Sequence, residues 1–175
     1  MTQEYAHNIR VLFSREKLAC RVKELGKKIS ADYADKELTI ISISNGAMVF
    51  TGDLIREIRV PLRLDSITAS SYIGEYSKGS VDVTGKLKLD VFNSEILLVD
   101  DILDTGRTLN RIKEFLFNLE PKSVRTCTLL DKPSRRVADI NADYAGFVIE
   151  DLFVVGYGLD FNEYMRNLPY VGVMQ

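Results

Sequence analysis

The chain has 175 residues, of which 23 are basic and 25 acidic, so its formal net charge is −2. This balance excludes a strongly basic nucleic-acid module, and the two cysteines, Cys20 and Cys127, are too few for a disulfide scaffold. Because His7 is the single histidine, a Cys/His zinc site is excluded and a histidine-dependent nucleophile is disfavoured. Chemistry on this chain is expected to use carboxylates, lysine, arginine and backbone amides.

No apolar run approaches the roughly 20 residues that a membrane span needs, and the amino terminus lacks the pattern of a signal peptide. Nothing in the composition resembles a linker between domains. We therefore expect one domain over residues 1–175, a cytoplasmic location, and no membrane or nucleic-acid partner.

The first half of the chain alternates helix and strand signals. Ser14 is predicted to cap a helix that runs to about Tyr33, because apolar residues recur there every three or four positions. Residues 38–44 (LTIISIS) are β-branched and apolar, which predicts a strand. Asn45-Gly46 ends this strand and precedes a second helix. The apolar side of that helix, which could also serve a dimer interface, is predicted to contain Ala47, Phe50, Leu54 and Ile58.

Pro61 opens a further predicted strand that continues through Ser70 and Ser71. Residues 73–85 then contain three glycines and little apolar periodicity, which predicts a long surface loop or a flexible hairpin. Such segments often close over active sites, but an inert exposed hairpin has the same composition.

The second half continues the alternation. Strand signals cover 86–91, 95–100 and 123–130, and apolar runs follow at 144–149, 153–155 and near Val171. A helix from about Thr105 to Leu119 is predicted to bury Leu109, Ile112, Leu116 and Leu119. Strands that alternate with helices predict an α/β fold with a central, mostly parallel sheet flanked by helices.

The most informative segment is residues 96–109 (ILLVDDILDTGRTL). Its apolar strand ends in Asp100 and Asp101, which is costly unless both acids face a polar cleft. In open α/β sheets, ligands bind at this end of the strands. The loop from Asp104 to Thr108 leads into a helix, and its amides and glycine favour a phosphate. The alternative without a ligand is that Asp104 or Thr105 only caps the helix and that Asp100 and Asp101 form a solvated strand end.

This segment resembles the diphosphoribosyl-binding signature of the type I phosphoribosyltransferases. The resemblance continues in chain order through Ser70-Ser71-Tyr72, Leu130-Asp131-Lys132-Pro133 and residues 153–160 (FVVGYGLD), which are similar to the hypoxanthine and guanine branch of that family. It implies the family's fold, with a flexible active-site loop at about 73–85 and a small purine-binding hood at about 131–175.

The resemblance also implies a reaction in purine salvage. Such enzymes transfer the phosphoribosyl group of 5-phosphoribosyl 1-diphosphate to hypoxanthine or guanine, giving IMP or GMP and diphosphate. Mg²⁺ is the implied cofactor, and a homodimer or homotetramer is the implied assembly.

Individual roles follow from the resemblance. Asp100 and Asp101 would hold the ribose hydroxyls with Mg²⁺ bound alongside, and Asp104 would act as general base or acid at the purine N7. The 5-phosphate would be surrounded by Asp104, Thr105, Gly106, Arg107 and Thr108.

For the purine, Lys132 would donate to the 6-oxo group, Phe153 would stack on the ring, and the Val154 backbone would contact its edge. Asp160 would meet a second Mg²⁺ and Arg166 the diphosphate. Taken singly, these residues have bland alternatives: a surface lysine, a core phenylalanine, and a cap for a short helix at 162–166. Arg135 and Arg136 are expected to form a solvated pair, with an anion or a subunit contact as alternatives.

Two loops complete the predicted site. Ser70, Ser71 and Tyr72 would belong to the closing loop, and Ser44, Asn45 and Gly46 to the diphosphate loop. The family usually has a basic residue where this chain has Asn45, so diphosphate affinity or a salt link between subunits is in question.

Two other functions remain open from the residues. One is a regulatory protein that senses phosphoribosyl diphosphate and binds RNA or DNA, which the net charge of −2 disfavours. The other is the same enzyme class acting on xanthine or a pyrimidine.

Overall fold

The structure is a computed structural model that describes residues 9–71, 81–84 and 87–175. Its helices are α1 (Arg15–Asp32), α2 (Met48–Glu57) and α3 (Arg107–Phe117). Its strands are β1 (Ile9–Phe13), β2 (Leu38–Ser44), β3 (Leu62–Ser71), β4 (Val81–Thr84), β5 (Glu95–Leu103), β6 (Ser123–Asp131), β7 (Tyr144–Val148), β8 (Val154–Val155) and β9 (Val171–Met174). A short 3-10 helix, Pro133–Arg135, follows β6.

The larger sheet has the strand order β4-β3-β2-β5-β6-β7. Five of these strands are parallel, and β4 pairs antiparallel with β3 at one edge. Along β5, Leu97 and Val99 pack in the core cluster that contains α1 and α2, whereas Ile96 and Leu98 pack in the cluster that contains α3. Both faces of the sheet are therefore covered, which explains the continuous apolar runs of its central strands.

A smaller antiparallel sheet has the order β1-β9-β8. Residues 131–175, the segment expected to form the hood, contribute β7 to the larger sheet and β8 and β9 to the smaller one. The strand β1 was not predicted, because its apolar residues are too few to indicate a strand without the partner β9, more than 150 positions later in the chain.

Three predicted elements were wrong in detail. Residues 87–91 do not form a strand; instead the amides of Lys88 and Leu89 donate to Asp65 Oδ2 at 2.6 and 3.0 Å. The helix α3 ends at Phe117, so Leu119 is 37% exposed rather than buried. Residues 162–166 form turns instead of a short helix.

The segment 73–85 lies partly outside the described residues. Its described part, β4, pairs antiparallel with residues 68–71 of β3, as the hairpin alternative expects. Tyr72 lies outside the described residues, and Ser70 and Ser71 are described only as backbone of β3. No helix in the described part of the chain is long and apolar enough to cross a membrane. The cytoplasmic location stays a prediction.

Candidate active site

A cavity of about 430 Å³ lies at the carboxyl ends of β2 and β5, between α3 and the segment that follows β8. Parallel strands place their carboxyl ends at one edge of the sheet, so residues distant in sequence converge there. The predicted site residues that line it are Ser44, Gly46, Asp100, Asp101, Asp104, Thr105, Gly106, Thr108, Asp160 and Arg166. One cavity therefore contains most of the residues assigned to the phosphoribosyl diphosphate.

Two adjacent carboxylates form the floor of this cavity. Asp100 is only 7% exposed, and the Asp101 amide donates to its Oδ1 at 3.0 Å. Burial, and then the neighbouring charge of Asp101, raise the pKa of Asp100 well above its usual range. Burial also raises the pKa of Asp101, although hydrogen bonds with Asp100 and from the Ile102 amide act to lower it. A cation or a ribose hydroxyl bound here would relieve this unfavourable burial of charge.

Next to the carboxylates, the loop before α3 presents backbone amides to the cavity. Gly106 caps the helix with φ +81° and has no side chain to accept from the first turn. Thr105 Oγ1 accepts from the Arg107 amide at 3.5 Å, a long contact. A Cβ on Gly106 would come within 2.7 Å of Ile140 Cγ2, so the position favours glycine for both backbone and space. The other amides of this turn and the helix dipole suit a phosphate. Arg107 is exposed beside this turn.

The Arg136 side chain holds the start of the same loop through hydrogen bonds to its backbone. Its Nη1 donates to the carbonyl oxygens of Leu103 and Asp104 at 3.0 and 2.7 Å, and its Nη2 contacts Asp131. Its side chain is only 14% exposed. The expected solvated pair was therefore wrong for Arg136, because its guanidinium is largely buried and donates to the carbonyl oxygens of Leu103 and Asp104.

The loop after β2 approaches the carboxylates closely. The Ser44–Asn45 peptide bond is cis, Ser44 and Gly46 line the cavity, and Asn45 is exposed. A Cβ on Gly46 would lie 1.9 Å from Asp101 Oδ2. Glycine is needed here because the loop backbone packs directly against the Asp101 carboxylate.

The wall opposite comes from the turns after β8. Arg166 donates through Nη1 to the Gly158 carbonyl oxygen at 2.8 Å and through Nη2 pairs with Asp160 Oδ1 at 2.9 Å. The Glu163 amide donates to Asp160 Oδ2 at 2.9 Å, so Asp160 stabilises a turn where a helix cap was the alternative. Asp160 and Arg166 are thereby fixed on the rim of the cavity.

The predicted purine contacts lie beside this cavity, outside its lining. Lys132 is only 6% exposed, and its Nζ lies 3.9 Å from Asp151 Oδ1. Phe153 is 54% exposed and makes an edge-on contact with Phe161, with ring centroids 5.8 Å apart. The bland alternatives of a surface lysine and a core phenylalanine were thus both wrong. The Val154 side chain is buried, and its backbone pairs with β9.

Two residues at this site were missed as site residues. Arg135 Nε donates to Asp104 Oδ1 at 3.2 Å, and Arg135 Nη1 lies 3.6 Å from Asp151 Oδ2. The Arg135-Arg136 pair was a visible signal, but its partners are remote in sequence. Asp151, in an ordinary polar turn, gave no signal at all.

Comparison with known proteins places the chain. The family model described as a phosphoribosyl transferase domain matches residues 12–162. The chain belongs to the phosphoribosyltransferase family. It is 41% identical over 169 residues to the hypoxanthine phosphoribosyltransferase of Salmonella typhimurium, covering 95% of each chain. It is 43% identical over 171 residues to the hypoxanthine-guanine phosphoribosyltransferase of Bacillus subtilis, covering 97% of this chain and 95% of the relative.

The fold agrees with solved structures of the family. A crystal structure of a hypoxanthine phosphoribosyltransferase from Staphylococcus aureus superposes with a TM-score of 0.94 at 41% identity, covering 100% of this chain and 96% of the other. The family, the fold class, the enzyme class and the purine-salvage reaction expected from the sequence are therefore confirmed. The roles of individual residues stay predictions.

Proposed function

We propose that the site transfers the phosphoribosyl group of 5-phosphoribosyl 1-diphosphate to hypoxanthine or guanine and releases diphosphate, giving IMP or GMP. One observation carries this proposal: the adjacent carboxylates of Asp100 and Asp101 share a cavity with the first turn of α3, where Gly106 offers no side-chain cap. These groups match the hydroxyls and the 5-phosphate of one sugar phosphate. The substrate names of the relatives at about 40% identity support the purine base.

For the phosphoribosyl group, Asp100 and Asp101 accept from the ribose hydroxyls while the amides of residues 105–108 bind the 5-phosphate. The amides of Ser44 to Gly46 and the Arg166 guanidinium face the diphosphate. Breaking the bond between ribose C1 and the diphosphate develops positive charge on the sugar, and the nearby carboxylates stabilise that charge.

The donor set also fits Mg²⁺, which prefers carboxylate and phosphate oxygens and keeps several water ligands. The described residues contain no cluster of three or more His, Cys, Asp or Glu that could hold a metal unaided. Asp100 and Asp101 would thus hold one Mg²⁺ and Asp160 a second, each together with substrate and water oxygens. When bound, Mg²⁺ neutralises charge on the leaving diphosphate.

For the purine, N9 forms the new bond to ribose C1 while Asp104 accepts the proton from N7. The Lys132 ammonium can only donate, so it favours a 6-oxo group over the 6-amino group of adenine. The exposed ring of Phe153 offers a stacking surface for the base. A water-excluding closure would protect the cationic sugar from hydrolysis, a role proposed for the segment that begins with Ser70, Ser71 and Tyr72, of which Ser70 and Ser71 end β3.

The test is a transfer assay with hypoxanthine, guanine or xanthine, phosphoribosyl diphosphate and Mg²⁺. We expect IMP from hypoxanthine, and Asp104→Asn should lower kcat by about 10²-fold, the usual contribution of a general base, with little change in the KM for phosphoribosyl diphosphate. The absence of nucleotide product with all three bases would refute the proposed reaction. A large loss of phosphoribosyl diphosphate affinity at unchanged kcat would refute the role of Asp104.

We also propose a homodimer or homotetramer. The predicted apolar side of α2, which could have served a dimer interface, is buried within this domain through Ala47, Phe50 and Leu54. Met48 and Val49 are exposed on the same helix and offer an apolar contact instead. Sedimentation equilibrium tests the assembly, and a monomer at micromolar concentration would contradict it.

A further inference from the structure

Four charged residues of alternating sign connect the two halves of the site. They follow the adjacent parallel strands β5, β6 and β7, whose carboxyl ends share one edge of the sheet. Asp104 follows β5, Lys132 and Arg135 follow β6, and Asp151 follows β7. The order in space is carboxylate, guanidinium, carboxylate and ammonium.

The contacts use different atoms of each bridging group. Arg135 directs Nε to Asp104 Oδ1 at 3.2 Å and Nη1 to Asp151 Oδ2 at 3.6 Å. Asp151 in turn presents its other oxygen, Oδ1, to Lys132 Nζ at 3.9 Å. The structure describes no hydrogen bond to Asp104 Oδ2. Arg135 therefore occupies one oxygen of Asp104 and leaves the second oxygen for a ligand.

We propose that Arg135 and Asp151 are positioning residues for the purine. Arg135 holds Asp104 so that Oδ2 faces N7. Asp151 holds Arg135 and Lys132 at a constant distance from each other, so that Asp104 contacts N7 while Lys132 contacts the 6-oxo group of the same base. This inference rests on the roles proposed above for Asp104 and Lys132.

Stability does not account for the arrangement. Arg135 and Asp151 are about half exposed, and exposed ion pairs of this kind contribute roughly 0–1 kcal/mol to folding. A guanidinium, however, directs several N–H groups from one rigid plane, which lets it contact two carboxylates at fixed angles. The Arg135–Asp151 pair is therefore suited to orienting the neighbouring side chains.

The surroundings of Lys132 support the same role for Asp151. The Lys132 side chain is 8% exposed, and a buried ammonium is costly without an opposing charge. Asp151 supplies that charge, while at 3.9 Å it leaves the ammonium protons free to donate to a bound base. Upstream, the Lys132 amide donates to the Leu103 carbonyl oxygen at 2.9 Å, which ties the end of β6 to the end of β5.

Steady-state kinetics with hypoxanthine test the inference. Arg135→Ala should lower kcat about tenfold, a modest loss for a misplaced reacting group, with the KM for phosphoribosyl diphosphate within about twofold of wild type. In an Asp104→Asn background the same substitution should cause no further loss, because Arg135 acts through that carboxylate. Arg135→Lys should recover only part of the rate lost in Arg135→Ala, since a single ammonium cannot contact both carboxylates.

Asp151→Asn should raise the KM for hypoxanthine about fivefold and also lower kcat, because it releases both Lys132 and Arg135. The control is Arg111→Ala, which removes another exposed pair, with Glu114 at 3.7 Å on α3, and should leave all constants unchanged. Wild-type kinetics in Arg135→Ala and Asp151→Asn would overturn the inference. An undiminished loss from Arg135→Ala in the Asp104→Asn background would also overturn it. A wild-type protein that transfers to no base would instead overturn the proposed function, and this inference with it.

Discussion

Gly46→Ala tests how closely the loop after β2 must approach the Asp101 carboxylate. The added Cβ would lie 1.9 Å from Asp101 Oδ2, where real Cβ contacts below 3.0 Å essentially never occur, so one group must move by at least 3.0 − 1.9 = 1.1 Å. The carboxylate cannot simply rotate away, because its Oδ1 accepts from the Ile102 amide at 2.8 Å. The substitution therefore displaces either the loop or Asp101.

A displacement of about 1 Å at reacting groups can cost about 10²-fold in rate. We expect kcat/KM for phosphoribosyl diphosphate to fall by about this factor in Gly46→Ala, while the KM for hypoxanthine stays within about threefold. Overpacking of this kind should also lower the free energy of unfolding by about 1–3 kcal/mol. Both quantities are measured on the same preparation, by initial rates and by thermal or urea unfolding.

Gly52→Ala is the matched control. Gly52 lies in α2, and a Cβ there would meet nothing within 4 Å. Because alanine is the better helix former, this variant should be more stable by about 0.5–1 kcal/mol with unchanged kinetics. If Gly46→Ala had the same phosphoribosyl diphosphate kinetics as Gly52→Ala, the argument from close approach would be refuted.

Three further predictions concern charge and capping. Folding raises the Asp100 pKa, so the folded state binds that proton more tightly and wild-type stability falls as pH rises through the raised value. Asp100→Asn should therefore be more stable than wild type by about 1 kcal/mol at pH 8 and should lose this advantage near pH 4. The variant should also fail to bind phosphoribosyl diphosphate. Equal stability of variant and wild type at both pH values would contradict the reasoning. Lys132→Met should raise the KM for hypoxanthine about tenfold at unchanged KM for phosphoribosyl diphosphate, and similar changes in both constants would argue against a base contact. Ser14→Ala removes the cap to the Lys17 amide and should cost about 1 kcal/mol in urea unfolding, with no effect on turnover.

Local patterns determined much of the architecture. The strand β2 has the limits predicted from its β-branched run, and α1 begins after the predicted cap, Ser14. Their apolar periodicity is short-range information, so one sequence is enough to detect it. The same holds for the two acids that follow the apolar run of β5, because adjacent charges there are costly unless they face a polar cleft.

Tertiary structure alone decided the features that depend on remote partners. The strand β1 forms because β9 pairs with it, and residues 87–91 are irregular because Asp65 binds their amides. The sequence showed two adjacent arginines after β6 but not that Arg136 braces the Leu103 and Asp104 carbonyl groups, or that Arg135 lies between Asp104 and Asp151. Each of these arginine contacts joins loops that only the parallel order β5-β6-β7 brings together.

The composition of the chain limits the groups that its site can use. A near-neutral chain with one histidine and two cysteines determined which groups were available: carboxylates, a lysine, arginines and backbone amides. The sequence shows the types of these groups and the apolar run that leads to Asp100 and Asp101. Which arginine faces which carboxylate depends on the spacing of neighbouring strands, because a hydrogen bond or ion pair is decided over a few ångströms that sequence distance does not encode.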